Sequence, residues 1–196
     1  TLIPAQMLAS ICAGISVNGC IILPRDDEQY SILEKAAIEA KINNIISFGR
    51  SSESTIQLIS SHVKETRSSA TRRIISFKIL DKTYEISIGM RAEHWATNAL
   101  SVIAACYFMG LDINTACDSL KNQTALAGRG AETKLVTKDF TTVIIDDAYN
   151  ASPSSVKAAL EDFATRPEIN KIVILTDMLE LCEFSNKMHL SIVPHI

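Results

Sequence analysis

No G-x-x-x-x-G-K-[ST] loop occurs in this 196-residue chain; its seven glycines are scattered and none precedes a lysine. A nucleotide-handling protein without that loop is incomplete for phosphoryl transfer. Basic charge is also short, with 19 Lys and Arg against 22 Asp and Glu, a formal net charge of −3. That gives no positive field for nucleic acid or anionic lipid, and points to small-molecule partners. The five cysteines (Cys12, Cys20, Cys106, Cys117, Cys182) are odd in number and lack C-x-x-C spacing. A zinc site or disulfide framework is therefore not expected; reduced core thiols and a cytoplasmic location are. No apolar run reaches the roughly 18 residues of a membrane span, and the N-terminus has no basic segment before an apolar one. Aromatic residues are few and read as core, and there are no internal repeats or low-complexity tracts. Starting at TLIPAQMLAS and stopping at SIVPHI, the chain reads as part of something longer.

What remains is an ordinary α/β composition, 47% hydrophobic and 21% charged, long enough to bury a core. Residues 5–13 have a helical pattern. Cys20–Leu23, closed by Pro24, reads as a buried strand. Asp26 or Asp27 is placed to cap a helix running to about Lys41, and Asn44–Phe48 is a second buried strand ending at Gly49. Strand–helix–strand at this length predicts a parallel βαβ unit. The polar stretch Arg50–Thr71 leaves room for one strand within Thr55–Val63. Arg73–Leu80 and Thr83–Ile88 alternate cleanly about Asp81-Lys82 and predict an antiparallel hairpin. Glu93–Met109 is apolar almost all round and predicts a buried helix stopped by Gly110; a further helix follows from about Asn114 to Lys121.

The stretch Gly128–Pro153 is the most informative. Arg129 lies between two glycines, a strand pair follows, and Thr142–Ile145 runs into Asp146 and Asp147. Ser152 and Pro153 then suit the N-cap and first position of a helix to about Thr165. Carboxylates at a strand's carboxyl end accept bonds from ribose hydroxyls in α/β proteins, while backbone N–H groups and the dipole of the following helix N-terminus face the ligand. Only one of two adjacent strand-end carboxylates faces a ligand directly, because side chains alternate; helix capping is the plainer alternative for both. Arg129 has the planar fork of a phosphate clamp, although, taken alone, a surface turn is the better explanation of it. His94 and Asn98, four apart at the positive end of the long helix, share one face. His94 there can bind phosphate or a metal and Asn98 can read a purine edge, or they cap and bond backbone. Lys171–Leu175 predicts another buried strand, ending at Asp177 and Glu180, with a last helical piece from near Ser185. His62 and His189 show no local partners, and His195 reads as tail.

The segments E-H-W-A-T-N-A-L, A-G-R-G, I-I-D-D-A-Y-N-A-S-P-S-S-V-K-A-A-L and I-V-I-L-T-D-M-L-E-L, in this order over Glu93–Leu181, resemble the Mur ligases of peptidoglycan synthesis. The D-D-x-Y-N-A-x-P pattern followed by D-M-L-E-L resembles the branch that attaches D-alanyl-D-alanine. P-R-D-D-E near residue 26 agrees less tightly. The resemblance implies the second half of a central ATPase domain, a mixed sheet with helices, over residues 1–129. It implies the first part of a Rossmann-like C-terminal domain over 130–196, with the phosphate loop, a Mg-binding Glu and a carbamylated Lys before Thr1. It further implies ATP and Mg2+, and UDP-N-acetylmuramoyl-tripeptide and D-alanyl-D-alanine as partners of a monomeric full-length enzyme. His94 would stand at the Mg2+ and phosphate site, Asn98 at adenine, Arg129 at the phosphates, and Asp147, with Asp146 beside it, at the ribose. Tyr149 and Asn150 would line the cleft where an acyl phosphate meets the amine. Trp95 and Ser152 stand where the family usually has Asn, and Thr176 and Cys182 where it usually has Gly. A non-catalytic remnant, or another Mur-type or folylpolyglutamate-type ligase, are the alternatives; the chain alone is expected to be inactive.

Overall fold

The computed structural model describes residues 9–64 and 71–196. Seven strands form two sheets: β1 (Cys20–Pro24), β2 (Asn44–Gly49), β3 (Ile56–Lys64), β4 (Arg72–Ile79) and β5 (Lys82–Ile88) in sequential order, and β6 (Ala131–Val136) with β7 (Thr141–Asp146). β1, β2 and β3 run parallel, whereas β3–β4 and β4–β5 are antiparallel, so the larger sheet changes character along its width as expected. The helices are α1 (Tyr30–Glu39), α2 (His94–Phe108), α3 (Ile113–Leu120), α4 (Pro153–Ala164) and α5 (Ser185–Leu190). The helical pattern over residues 5–13 lies partly outside the described residues; its later part is a 3-10 turn over Ser10–Gly14.

Strand alternation divides the core. Ile22 and Ile46 join Ile56, Ile75, Phe77, Ile86 and Ile88 beneath Ala96, Ala99, Leu100 and Ile103 of α2. Their neighbours Ile21 and Ile45 point the other way, toward Ala37 of α1 and Ile42. The parallel end of the sheet is thus covered on both faces, as a βαβ unit requires. The small residues of α2 let it lie close on β1, β2 and β3. Its burial is one-sided, however: Val102, Phe108 and Asn98 face solvent. A run apolar all round predicted full burial, but only one sheet face and α3 are there to cover it. Gly110 takes φ +68 after the helix, the left-handed stop its position predicts.

Asp26 and Asp27 do different work from the cap expected of them. Gln29 is the N-cap of α1 and makes no side-chain cap bond; Asp27 accepts the Gln29 N–H at 2.7 Å. Asp26 instead accepts the N–H groups of Arg50 (2.5 Å) and Ser51 (3.0 Å), tying the ends of β1 and β2 together. That approach needs glycine at 49, where φ is +148 and a Cβ would lie 2.5 Å from an Asp26 oxygen.

Residues 171–175 do not form the buried strand expected of them. They run without a ladder partner, and Ile172 and Ile174 are 84% and 87% exposed. An apolar run becomes a buried strand only if neighbours supply hydrogen bonds and an apolar layer. Among the described residues β7 pairs only with β6, and neither is supplied here.

Candidate functional site

The start of α2 is set by a buried cation. Arg73 of β4, its side chain only 5% exposed, forms an ion pair with Glu93 and donates to the Ser61 hydroxyl at 2.7 Å. Its Nε also donates to the Arg91 carbonyl at 2.7 Å. Glu93 receives further bonds from Arg50 (2.6 Å) and Ser61 (3.1 Å). The turn ahead of His94 is therefore held by the sheet, and His94 opens the helix where its unpaired N–H groups and positive dipole end lie. Asn98 follows one turn later, exposed, with no side-chain bond to the described residues.

The Gly128–Gly130 turn faces this helix end. Both glycines take left-handed φ, +74 and +79. A Cβ on Gly128 would meet Tyr149 Cβ at 3.0 Å, so glycine is what lets the turn lie against the loop after β7. Asp146 holds that closure: its carboxylate accepts the N–H groups of Gly128 (2.8 Å) and Ala148 (3.3 Å), and its carbonyl accepts Gly130 N–H at 2.8 Å. Tyr149 N–H returns a bond to the Gly128 carbonyl at 2.9 Å. The adjacent carboxylates thus divide their roles. Asp146 is committed to the loop, and Asp147 makes no hydrogen bond to the described residues. Arg129 lies over the Tyr149 ring, 4.2 Å from its centroid, with its N–H fork paired to no described carboxylate. Asn150 turns back to accept Ala151 N–H at 2.9 Å. Ser152 caps α4 in a reciprocal pair of bonds with Ser155, with Pro153 at the first helical position.

Electrostatics tie these elements into one site. Burial lowers the His94 pKa from 6.5, Asp147 and Asp162 oppose that, and Arg73 reinforces it. Although His94 is exposed by area, the atoms packed round its ring disfavour the charged form. Burial raises the Asp147 pKa from 3.8; His94 counters this, Asp146 adds to it, and Arg129 counters it. His94, Arg129, Asp146 and Asp147, from three separate segments of the chain, therefore share one electrostatic neighbourhood. The sign for His94 follows from linkage. Its folded pKa lies below the unfolded value, so stability is constant above pH 6.5 and is lost as pH falls from there toward the folded pKa. Urea unfolding of wild type and His94→Asn between about pH 8 and pH 5 should show the wild type losing stability on the acid side and the variant changing less. Parallel profiles would place His94 in solvent.

Three contributors had no local signature. Trp95, by pattern an apolar helix residue standing where the family usually has Asn, sits 5.2 Å from the His94 ring, with its Nε1 4.0 Å from where a Gly130 Cβ would be. Asp162 of α4 reaches the field of His94 and Arg73, and pairs with Arg166, which also holds Glu132 of β6 at 2.6 Å. Arg73 itself looked like one alternating strand position among several. Each is placed by packing between distant segments, which spacing does not report.

No three His, Cys, Asp or Glu side chains converge on one point among the described residues. Mg2+ does not require such a cage, since it keeps waters and takes one or two carboxylates with phosphate oxygens. By donor chemistry, the oxygen of Asp147 suits Mg2+ better than the imidazole of His94. No described helix is long and apolar enough to cross a membrane. All five cysteines are free; burial raises the thiol pKa of Cys20 and Cys117, which disfavours their thiolate forms.

A mixed α/β sheet with open polar groups at a strand end and a helix N-terminus defines a ligand-cleft protein of the α/β class. The Mur ligase middle domain matches residues 5–106, and the chain belongs to the Mur ligase family. It is 31% identical over 192 residues to UDP-N-acetylmuramoyl-tripeptide–D-alanyl-D-alanine ligase of Rickettsia prowazekii (strain Madrid E), covering 98% of this chain and 41% of that protein. The Bacillus subtilis (strain 168) protein of the same name is 33% identical over 115 residues, 58% of this chain and 24% of that one. Among solved structures, MurF from Acinetobacter baumannii superposes with a TM-score of 0.77 at 20% identity, over 92% of this chain and 37% of that one. MurF ligase from Thermotoga maritima in complex with ADP gives 0.74 at 20% identity, over 92% and 38%. The matches thus cover about two fifths of the length of the Rickettsia, Acinetobacter and Thermotoga proteins and about a quarter of the Bacillus one.

Proposed function

We propose that the chain is part of an ATP-dependent ligase that joins D-alanyl-D-alanine to UDP-N-acetylmuramoyl-tripeptide through an acyl phosphate, in the cytoplasm. The observation that carries the reading is the meeting of the His94 helix end with the Arg129 turn and the Asp147 strand end, three motifs far apart in sequence. In this reading residues 1–129 belong to the central domain, residues 130–196 to the C-terminal one, and the cleft lies at their junction. Asp147, unengaged within the loop, accepts ribose hydroxyls. Arg129, lying over Tyr149, presents its fork to phosphate oxygens, a geometry suited to bidentate binding. Asn98 offers an amide to the adenine edge. His94, at the positive end of α2, donates to phosphate, and Mg2+, when bound, would supply positive charge against that developing on the transferred phosphoryl group. Tyr149, 68% exposed, and Asn150 line the face where the acyl phosphate and the dipeptide amine meet.

The relatives' names support the choice of substrates, and the departures at Trp95, Thr176 and Cys182 leave the polar set intact. The test uses the complete coding region. A Gly-Lys-Ser/Thr phosphate loop is expected in frame within about 200 residues, roughly one domain, upstream of Thr1. Phosphate release from ATP should then require both UDP-N-acetylmuramoyl-tripeptide and D-alanyl-D-alanine, while the 196-residue chain alone releases none. Turnover by the isolated chain, preference for another amine, or a stop codon in place of the loop would each contradict the proposal.

A further inference from the structure

The loop Thr176–Leu181 ends on a left-handed non-glycine residue, Glu180 (φ 62), and Cys182 (φ 47), which opens the 3-10 turn after it, is another, so something must hold the loop in that conformation. His189 of α5 touches it. The Met178 backbone N–H donates to His189 Nε2 at 3.0 Å, and His189 Nδ1 lies 2.8 Å from the Ser185 carbonyl and 3.3 Å from the Ser185 hydroxyl. These partners fix the proton. An amide N–H can only donate, so Nε2 is bare; a carbonyl can only accept, so Nδ1 carries the hydrogen. The ring is neutral and bridges α5 to the loop. Met178 itself is buried with Leu160 of α4 and Ile192, and Ala151, next to Asn150, packs on that cluster. Holding Met178 therefore holds the loop against the N-terminal part of α4, beside the candidate site.

One charged group waits on the same nitrogen. Asp177 Oδ1 lies 4.0 Å from His189 Nε2, with its carboxylate 92% exposed. Glu180 of this loop and Cys182 just after it are the other titratable side chains lining this depression. A proton added at Nε2 would face the Met178 N–H and remove its acceptor, while gaining Asp177 as a partner. We propose that His189 is a two-position latch: neutral, it positions the Thr176–Leu181 loop by accepting Met178 N–H; protonated, it exchanges that bond for Asp177 and releases the loop. The inference goes beyond the proposed ligase role and stands on this geometry alone.

Long-range 15N–1H correlation of the histidine rings in the 196-residue chain should show His189 as the Nδ1–H tautomer near pH 8, converting to imidazolium on acidification. Over the same transition, the Met178 amide should lose about tenfold of its hydrogen-exchange protection after correction for the intrinsic rate. His189→Gln, which keeps an acceptor but cannot titrate, should hold protection independent of pH. Asp177→Asn should make His189 harder to protonate. An Nε2–H tautomer, or Met178 protection unchanged while His189 titrates, would overturn the latch. The tautomer is read on the wild type, so an unstable variant does not spare the proposal.

Discussion

Replacing Arg73 with alanine is expected to lower stability by roughly 3 kcal/mol and to loosen the first turn of α2. The figure comes from what the side chain leaves behind. Removing one partner of a buried ion pair costs about 3–5 kcal/mol when the survivor is itself buried. Glu93 is 51% exposed and recovers water, which places the loss at the lower end. The Arg91 carbonyl and Ser61 hydroxyl nevertheless lose charged donors, each bond being worth about 1.5–3 kcal/mol. Arg73→Lys should recover only part, because one ammonium cannot reproduce a fork shared among three acceptors. Arg50→Ala is the control. It also pairs with Glu93, but both side chains are more than half exposed, and the expected cost is under about 1 kcal/mol. Urea denaturation of the three variants decides it; an Arg73→Ala change as small as that of Arg50→Ala would show that the buried cation does not organise the helix start.

Arg129→Ala is expected to weaken adenine nucleotide binding by about tenfold or more, with little change in folding stability. A charge-assisted bond to phosphate is worth about 1.5–3 kcal/mol, and each 1.4 kcal/mol is a factor of ten. The fold loses little, because Arg129 makes no ion pair with the described residues and only lies over an exposed Tyr149. Asp146→Ala should behave in the reverse way. Its carboxylate bonds Gly128 and Ala148, so its loss should disorder the turn first and weaken binding as a consequence. The pair separates a group that waits for ligand from one that builds the site.

Local signals made much of this fold legible. Pro24, the apolar run before Gly49 and the alternation through β4 and β5 each report a strand from its own residues. Gly110, Ser152 and Pro153 mark helix ends because capping is settled within four residues. The motifs of the candidate site are local in sequence, and alternation along a strand accounts for Asp146 bonding the loop while Asp147 does not. What sequence did not reveal depends on partners distant in the chain. Lys171–Leu175 has strand composition, yet without a hydrogen-bonded neighbour it forms no strand and stays exposed. Asp26 looked like a helix cap and instead binds the loop after β2. His189 has a local partner, Ser185, one turn earlier in its own helix, but its second partner, Met178, lies eleven residues back and reaches it through a loop, which spacing does not report.

Titration of the 15N-labelled 196-residue chain with MgADP, followed residue by residue, brings the cleft reading to a decision. Weak, saturable shifts concentrated at His94, Asn98, Gly128–Gly130 and Asp147–Asn150, and lost in Arg129→Ala, are the predicted result. Shifts scattered over the surface, or saturable binding centred elsewhere and unaffected by Arg129→Ala, would contradict it.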